Sequence, residues 1–257
     1  MKEIILIKDG ELALKGLNRK NFENTLIGNI KRRLKDLGEV KIENLQSTIT
    51  IEPLEDGYDF EEALQRVSLI FGIAAFSRAC VCDKDINDIY EKAPEYLRDT
   101  LDEVRTFKVE AKRADKSFPL TSPEICREVG GLLLSRYPHL RVDVHNPDVT
   151  VTVEVRDRYA FIRAGQLQGA GGLPVGTAGR ATILISGGID SPVAAWTMAK
   201  RGLVLNAIHF ASPPYTSLRA EQKVKTLLSE EMSAAFPLAV PLVAEATAGS
   251  NWLEAHA

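Results

Sequence analysis

Residues 180–196 read RATILISGGIDSPVAAW, a short apolar run followed by two glycines, an aspartate and a serine. The run at 183–185 predicts a strand of a parallel sheet that is buried on both faces. Ser191 is the expected cap of a helix with Pro192 in its first turn, and Gly202 marks the expected end of that helix. The stretch therefore predicts a strand, a tight loop and a helix in immediate succession.

The loop of this stretch, residues 186–191, has the composition of an anion site. A helix N-terminus presents backbone N–H groups without intrahelical partners, together with the positive end of the helix dipole. Small residues allow a phosphate to approach those groups closely. The loop is therefore predicted to bind phosphate.

The chain has 257 residues, of which 45% are hydrophobic and 26% charged, as in ordinary soluble proteins with two or three small domains. The apolar run at residues 4–7 is too short for a signal peptide. No apolar stretch approaches the ~18 residues of a membrane span. We therefore expect a cytoplasmic protein that has no membrane partner.

Three cysteines, Cys80, Cys82 and Cys126, are spread through the first half of the chain. They form neither a CxxC pair nor an even-numbered disulfide framework. Their spacing argues against a zinc site, and we expect reduced, structural thiols and no metal site.

A basic cluster lies in residues 15–35, although the net charge of the chain is −3. Its cations are Lys15, Arg19, Lys20, Lys31, Arg32, Arg33 and Lys35, with Glu23 as the one acidic residue among them. Contacts to phosphates of nucleic acid depend on local charge, so the cluster is a candidate RNA-binding surface. Apolar residues recur at helical spacing in the same segment, so the solvated face of an amphipathic helix is the alternative.

Periodicity divides the chain into four parts. Residues 1–60 predict an α+β unit of strand, helix, strand and strand. Residues 61–165 predict helices alternating with strands and a final hairpin of two alternating strands. Residues 166–180 are rich in glycine and predict an interdomain linker, after which residues 181–257 start with the strand, loop and helix described above.

A second basic segment is FKVEAKRADKSFPLTS, residues 107–122. Its cations are Lys108, Lys112, Arg113 and Lys116, and Phe118 lies among them. Cations beside an aromatic ring are typical of nucleic-acid sites. Lysines that protect an exposed strand edge give the same pattern, and the residues alone leave both readings open.

The loop carries a resemblance to a known family. SGGIDSPVAAW matches the SGGxDS signature of the PP-loop ATP pyrophosphatases, which bind the pyrophosphate portion of ATP and activate a substrate by adenylation. Four other stretches, KRADKSFPLTSPEICREVGG, VDVHNPDVTVTVEVR, GAGGLPVGT and HFASPPYTS, resemble the tRNA 4-thiouridine synthetase family, which also serves thiamine biosynthesis. The likeness spans residues 1 to about 225.

The resemblance implies a fold class and a domain order. Residues 1–60 would be an α+β ferredoxin-like domain, and residues 61–165 a THUMP domain. After the linker, residues 181–257 would be the start of an α/β doubly wound PP-loop nucleotide-binding domain. In this family the first two domains together hold the acceptor region of a tRNA.

The resemblance also implies site residues. The residues that match the ATP site are Leu184, Ile185, Ser186, Gly187, Gly188, Asp190, Ser191, His209 and Phe210. Ser186 to Ser191 would hold the phosphates of ATP with Mg²⁺, and the other four would flank the adenosine. The candidate tRNA contacts are Lys15, Arg19, Lys20, Lys108, Lys112, Arg113 and Lys116.

The reaction implied by the family has two steps. ATP adenylates O4 of a uridine and releases pyrophosphate, and persulfide sulfur from a partner cysteine desulfurase then displaces AMP. A sulfur-carrier protein of thiamine synthesis is a further implied partner. In the family the catalytic cysteine lies late in the PP-loop domain. Cys80, Cys82 and Cys126 all precede the SGGxDS loop, so the catalytic residue is left unassigned.

The end of the chain departs from the family pattern. About 80 residues follow Ala178, whereas a doubly wound domain needs roughly 150. Residues 231–257 are rich in alanine, are broken by two prolines and match no family motif. We therefore expect a truncated sulfurtransferase. The alternatives are a non-catalytic tRNA-binding module with a vestigial ATP loop and a small-molecule synthetase, which would leave the basic segments unexplained.

Overall fold

The computed structural model describes residues 1–10, 18–45, 48–210 and 217–226. The strands are β1 (Glu3–Asp9), β2 (Val40–Leu45), β3 (Thr48–Pro53), β4 (Ile73–Asp83), β5 (Thr106–Arg113), β6 (Arg141–Val142), β7 (Val149–Val155), β8 (Tyr159–Ala164), β9 (Leu167–Gln168), β10 (Arg180–Leu184) and β11 (Val204–Ile208). The helices are α1 (Arg19–Leu34), α2 (Phe60–Ser68), α3 (Ile86–Tyr96), α4 (Arg98–Asp102), α5 (Ser122–Arg136), α6 (Asp190–Lys200) and α7 (Leu218–Thr226). Among the described helices, none has the length and hydropathy needed to cross a bilayer.

Nine strands form one mixed sheet in the order β2-β3-β1-β4-β8-β7-β5-β6, with β9 paired to β4. Neighbours are antiparallel, except that β5 runs parallel to β6 and to β7. The long strand β4 pairs with β1 on one side and with β8 on the other. The two α+β units predicted from the sequence therefore share one continuous sheet.

The first core lies between helices α1 and α2 and the strands around β1. Alternation along β1 directs Ile5 and Ile7 to this side, where both are fully buried. Leu26, Ile30 and Leu34 lie four residues apart on α1 and pack in the same cluster. The strand, helix, strand and strand predicted for the first unit are confirmed.

The second core lies under helices α3 and α5. Val151, Val153 and Val155 of β7 are fully buried there, as the alternating sequence predicts. Strands β7 and β8 form an antiparallel pair with Val153 opposite Ile162, so the predicted hairpin is confirmed.

The third unit consists of the parallel pair β10 and β11 with helices α6 and α7. Ile185 is 3% exposed, but Leu184 is 62% exposed, so the prediction of burial on both faces is wrong for Leu184. Successive side chains point to opposite faces of a strand, and no element in the described residues covers the Leu184 face. Gly202, with φ of 93°, follows the end of α6 and confirms the predicted stop.

Residues 166–180 make backbone contacts with both of their neighbours. The Gly169 amide donates to the Ala74 carbonyl of β4, and the Leu173 amide donates to the Lys200 carbonyl of α6. From the first core, buried Asn29 donates its side-chain amide to the Val175 carbonyl at 3.1 Å. The segment thus joins the first unit to the third by hydrogen bonds, while the domain limits given above stay a prediction.

Candidate functional site

The loop after β10 is closed by its two serines. Ser191 Oγ accepts a hydrogen bond from the Ser186 amide at 3.0 Å and lies 3.3 Å from Ser186 Oγ. Helix α6 begins at Asp190 after Ile189, and no side chain caps it. The prediction that Ser191 caps the helix is therefore wrong, because its hydroxyl binds the start of the loop instead.

The backbone amides of the loop are available to a ligand. Those of Gly187 and Ile189 donate to no acceptor among the described residues. They lie just before the first turn of α6, where the helix dipole is positive. Ser186, Gly188 and Asp190 are exposed to solvent. This geometry is suited to an anion the size of a phosphate group.

Gly188 adopts an ordinary backbone conformation. A Cβ atom placed there would meet only Ser186 Oγ, at 3.5 Å, which is a normal van der Waals contact. The fold therefore does not require glycine at this position. A ligand that approaches the backbone closely would need glycine at this position, because a side chain would occupy the space of the ligand.

His209 follows β11 and lies beside the start of the loop. Its Nδ1 is 2.9 Å from the Ile185 carbonyl, which can only accept, so Nδ1 carries the proton. Its Nε2 is buried and has no hydrogen-bond partner in the described part of the chain. Phe210 and Leu184 are 59% and 62% exposed. The structure thus brings a histidine acceptor and two open apolar side chains to the end of the β10–β11 pair.

The face of the large sheet opposite the helices carries a group of converging cations. Arg163 of β8 is only 5% exposed and donates to the Gly165 carbonyl at 3.0 Å and towards Ser77 Oγ at 3.4 Å. Burial, then the charges of Arg163 and Lys112, lower the pKa of the Lys8 ammonium. We call Lys8, Lys112 and Arg163 the sheet-face cations. The carboxylates of Glu110 and Glu154 lie near these three cations, and the one positive charge in excess favours binding of an anion.

The residues predicted to contact RNA have different surroundings. Lys112 and Lys116 are exposed, whereas Lys108 pairs with Glu110 at 2.8 Å. Arg113 donates to the carbonyls of Phe118 and Leu120, both at 3.1 Å. Its guanidinium therefore holds the loop after β5, a role that the sequence did not reveal.

The basic helix is only partly open. Arg19 pairs with Glu23 at 2.6 Å, one turn further along α1, while Lys20 is exposed. Lys15 lies outside the described residues.

Sequence reasoning missed Lys8 and Arg163. Lys8 alternates with Ile5 and Ile7 on β1, and this spacing places it on the face opposite the first core. The same alternation in YAFIRAG places Arg163 on the face of β8 that points away from Ile162 and the second core. The pattern thus shows the face of each cation, but it does not show that strands far apart in sequence bring them together.

The three cysteines are free thiols, as predicted. Cys80 and Cys82 lie fully buried in the second core, and the hydrogen bond between their thiols lowers the pKa of Cys80 and raises that of Cys82. Cys126 lies on α5 and is partly buried, which raises the pKa of its thiol. In the described residues, no cluster of three or more histidine, cysteine and acidic side chains could hold a metal ion.

Comparison with known protein families gives three matches in the order of the units. The ThiI ferredoxin-like domain matches residues 4–77, the THUMP domain residues 83–163, and the thiamine biosynthesis protein (ThiI) family residues 176–239. Three successive parts of the chain therefore match the domains of the ThiI family. The first of these matches includes α2, in agreement with the packing of that helix in the first core.

Curated ThiI relatives share about half of the aligned residues. "Probable tRNA sulfurtransferase" from Caldanaerobacter subterraneus subsp. tengcongensis is 50% identical over 227 residues, and the protein of the same name from Thermoanaerobacter sp. is 52% identical over 227 residues. Each alignment covers 88% of this chain and 58% of the relative. The chain therefore spans less than two thirds of the length of the ThiI relatives that it matches.

Solved structures show the same fold. The crystal structure of a 4-thiouridine synthetase–RNA complex with bound ATP is similar with a TM-score of 0.80 and 36% identity, covering 92% of this chain and 60% of that one. A crystal structure of a protein from Pyrococcus horikoshii is similar with a TM-score of 0.76 and 26% identity, covering 92% and 77% of the two chains. The predicted architecture of ferredoxin-like domain, THUMP domain and start of a PP-loop domain is confirmed.

Proposed function

We propose that this chain carries the tRNA-binding and ATP-binding parts of an ATP-dependent tRNA sulfurtransferase. The observation that supports this most directly is the loop from Ser186 to Ser191. It combines the SGGxDS motif with a helix N-terminus and two unpartnered amides in a chain that matches the domains of the ThiI family. The ATP-bound, RNA-bound synthetase of similar fold gives the same reading by homology.

At the ATP end, each group has a chemical task. The amides of Gly187 and Ile189 would donate to phosphate oxygens, and the α6 dipole would stabilise their charge. Leu184 and Phe210 would flank the adenine with apolar surface, and His209 Nε2 would accept a hydrogen bond from a ligand N–H or O–H group. ATP would bring Mg²⁺ as its counter-ion, and Asp190, exposed at the start of α6, is the nearest carboxylate for it on the loop.

At the tRNA end, Lys8, Lys112, Lys116 and Lys20 would contact phosphates, and buried Arg163 would add to the positive potential of the sheet face. The acceptor region of the tRNA would then place a uridine where its O4 attacks the α-phosphate of ATP, with pyrophosphate as the leaving group. The terminal sulfur of the persulfide would attack C4 of the uridine and release AMP, and a second thiol would then cleave the remaining S–S bond to free the 4-thiouridine and leave a disulfide. Cys80 and Cys82 are buried in the second core and Cys126 is partly buried on α5, so we assign the persulfide donor to a partner cysteine desulfurase and give the thiols of this chain no role in the transfer.

The experiment combines this chain, tRNA, ATP with Mg²⁺, cysteine and a cysteine desulfurase. Three readouts are measured: ATP binding by calorimetry, tRNA binding by filter retention, and 4-thiouridine in the recovered tRNA. Binding of both ligands is the expected result, and tRNA-dependent pyrophosphate release would place the adenylation step in this chain.

Two other outcomes have distinct meanings. Binding of tRNA without ATP would favour the alternative of a non-catalytic tRNA-binding module. Binding of neither ligand would overturn the proposal. For a substitution of the loop glycine Gly188, the control is Gly131→Ala on α5, where an added Cβ meets no atom within 4 Å.

A further inference from the structure

Phe71 lies in the turn between α2 and β4, yet it packs away from the core of its own unit. Its neighbours in sequence, Ile70 and Ile73, are fully buried in the first core. Phe71 is 1% exposed and belongs instead to the cluster of the third unit, with Ile185 and Ala195. A side chain of the ferredoxin-like domain therefore completes the core beneath the nucleotide loop.

The contacts of Phe71 are with the two elements that carry the loop. Ile185 directly precedes Ser186, and Ala195 and Ala199 lie one turn apart on α6. Because both alanines are small and almost fully buried, the ring can approach the helix closely. Trp196 adds an edge-to-face contact with ring centroids 5.6 Å apart.

Backbone contacts fix the turn that presents Phe71. Gly72 has φ of 101°, and its amide donates to the Gly171 carbonyl at 2.8 Å. A Cβ at Gly72 would lie 2.8 Å from Pro174 Cγ, and one at Gly172 would lie 2.2 Å from the Lys200 carbonyl oxygen. Glycine is therefore required at both positions, and the turn is held against α6 with little freedom.

We propose that Phe71 is a positioning residue for the nucleotide loop. Its ring holds the end of β10 and the first turns of α6 in the relative placement that directs the loop amides at a phosphate. The proposal rests on the proposed function, in which this loop binds ATP. The ring belongs to the unit that is proposed to bind tRNA, so a residue of that unit sets the geometry of the nucleotide loop.

The test compares Phe71→Leu with Phe107→Leu in the intact chain. Phe107 is a fully buried phenylalanine of the second core, so the control makes the same chemical change away from the loop. Hydrogen exchange is measured along the chain without ligand. We expect at least a tenfold loss of protection over residues 183–200 in Phe71→Leu and none there in Phe107→Leu.

Binding gives the second readout. ATP affinity should fall at least fivefold in Phe71→Leu, while affinity for tRNA alone stays within twofold of the wild type. Gly72→Ala, which pushes a Cβ against Pro174, should reproduce both changes without altering the ring.

Two results would overturn the proposal: equal protection of residues 183–200 in the two leucine variants, or a uniform loss of protection through all three cores, which would indicate global stability alone. If the wild type binds no ATP, the proposed function fails. Hydrogen exchange still decides the role of Phe71 in that case, because it needs no nucleotide.

Discussion

The nine-stranded sheet and the β10–β11 pair are built differently, although each carries a proposed ligand site. Helices bury one face of the large sheet, and the opposite face has its own small buried cluster around Leu6 and Phe161. Around the nucleotide loop, by contrast, Leu184 is 62% and Ile189 76% exposed. The large sheet is thus held by its own packing, whereas the loop keeps its shape through local serine hydrogen bonds and its position through Phe71.

The strongest test of the comparison is to block the loop and leave the sheet intact. Gly188→Val should lower ATP affinity about a hundredfold, or about 2.7 kcal/mol, because the side chain occupies the space of a phosphate. Affinity for tRNA should not change. Calorimetric titration of ATP and filter binding of tRNA measure the two effects, and equal ATP binding by variant and wild type would exclude this loop as the site. Gly187→Val should behave in the same way.

Substitution of Arg113 tests how much this residue contributes to the stability of the large sheet. Arg113→Met should lower the free energy of unfolding by about 2 kcal/mol, because two charge-assisted hydrogen bonds to loop carbonyls are lost. Urea denaturation monitored by circular dichroism gives the value. Lys112→Met, one residue away and exposed, is the control and should cost under about 0.5 kcal/mol. The opposite ranking would contradict the role of Arg113 in holding the loop.

Charge reversal on the sheet face tests the electrostatic contribution to tRNA binding. Lys112→Glu should weaken tRNA binding about tenfold near 0.1 M salt, roughly 1.4 kcal/mol, and reduce the slope of affinity against salt concentration. ATP affinity without tRNA should be unaffected. Arg136→Glu, an exposed cation on α5, makes the same charge change on the helix side of the sheet. If both variants bind tRNA equally, net charge rather than the sheet face determines affinity.

The smallest expected effect concerns Lys8, which is crowded by like charges. Lys8→Met should leave the free energy of unfolding within about 0.5 kcal/mol of the wild type, yet lower tRNA affinity about threefold. Because the fold lowers the pKa of Lys8 below 10.5, the unfolded chain binds this proton more tightly, and stability should rise with pH just below 10.5. Lys8→Met should remove that rise. Thermal unfolding between pH 8 and pH 10.5 measures it, and an unchanged pH dependence would contradict the crowding.

The sequence by itself determined the elements and the faces of this protein. Alternating valines specified β7, and the SGGIDS loop between an apolar run and a helical pattern specified the candidate nucleotide site. These signals are local, because the period of a strand or a helix fixes which side chains share a face. Burial of the apolar run was overestimated, since composition does not show which elements cover a strand.

Only the tertiary structure decided which of these faces meet. Lys8 contacts Gln166, 158 positions further along the chain, and Phe71 packs against α6 of the third unit. Such contacts depend on strand order and register, which join segments that have no periodic relation in the sequence. The structure also decided what else Arg113 does: its spacing is typical of an RNA contact, and its guanidinium donates to two carbonyls of the adjacent loop.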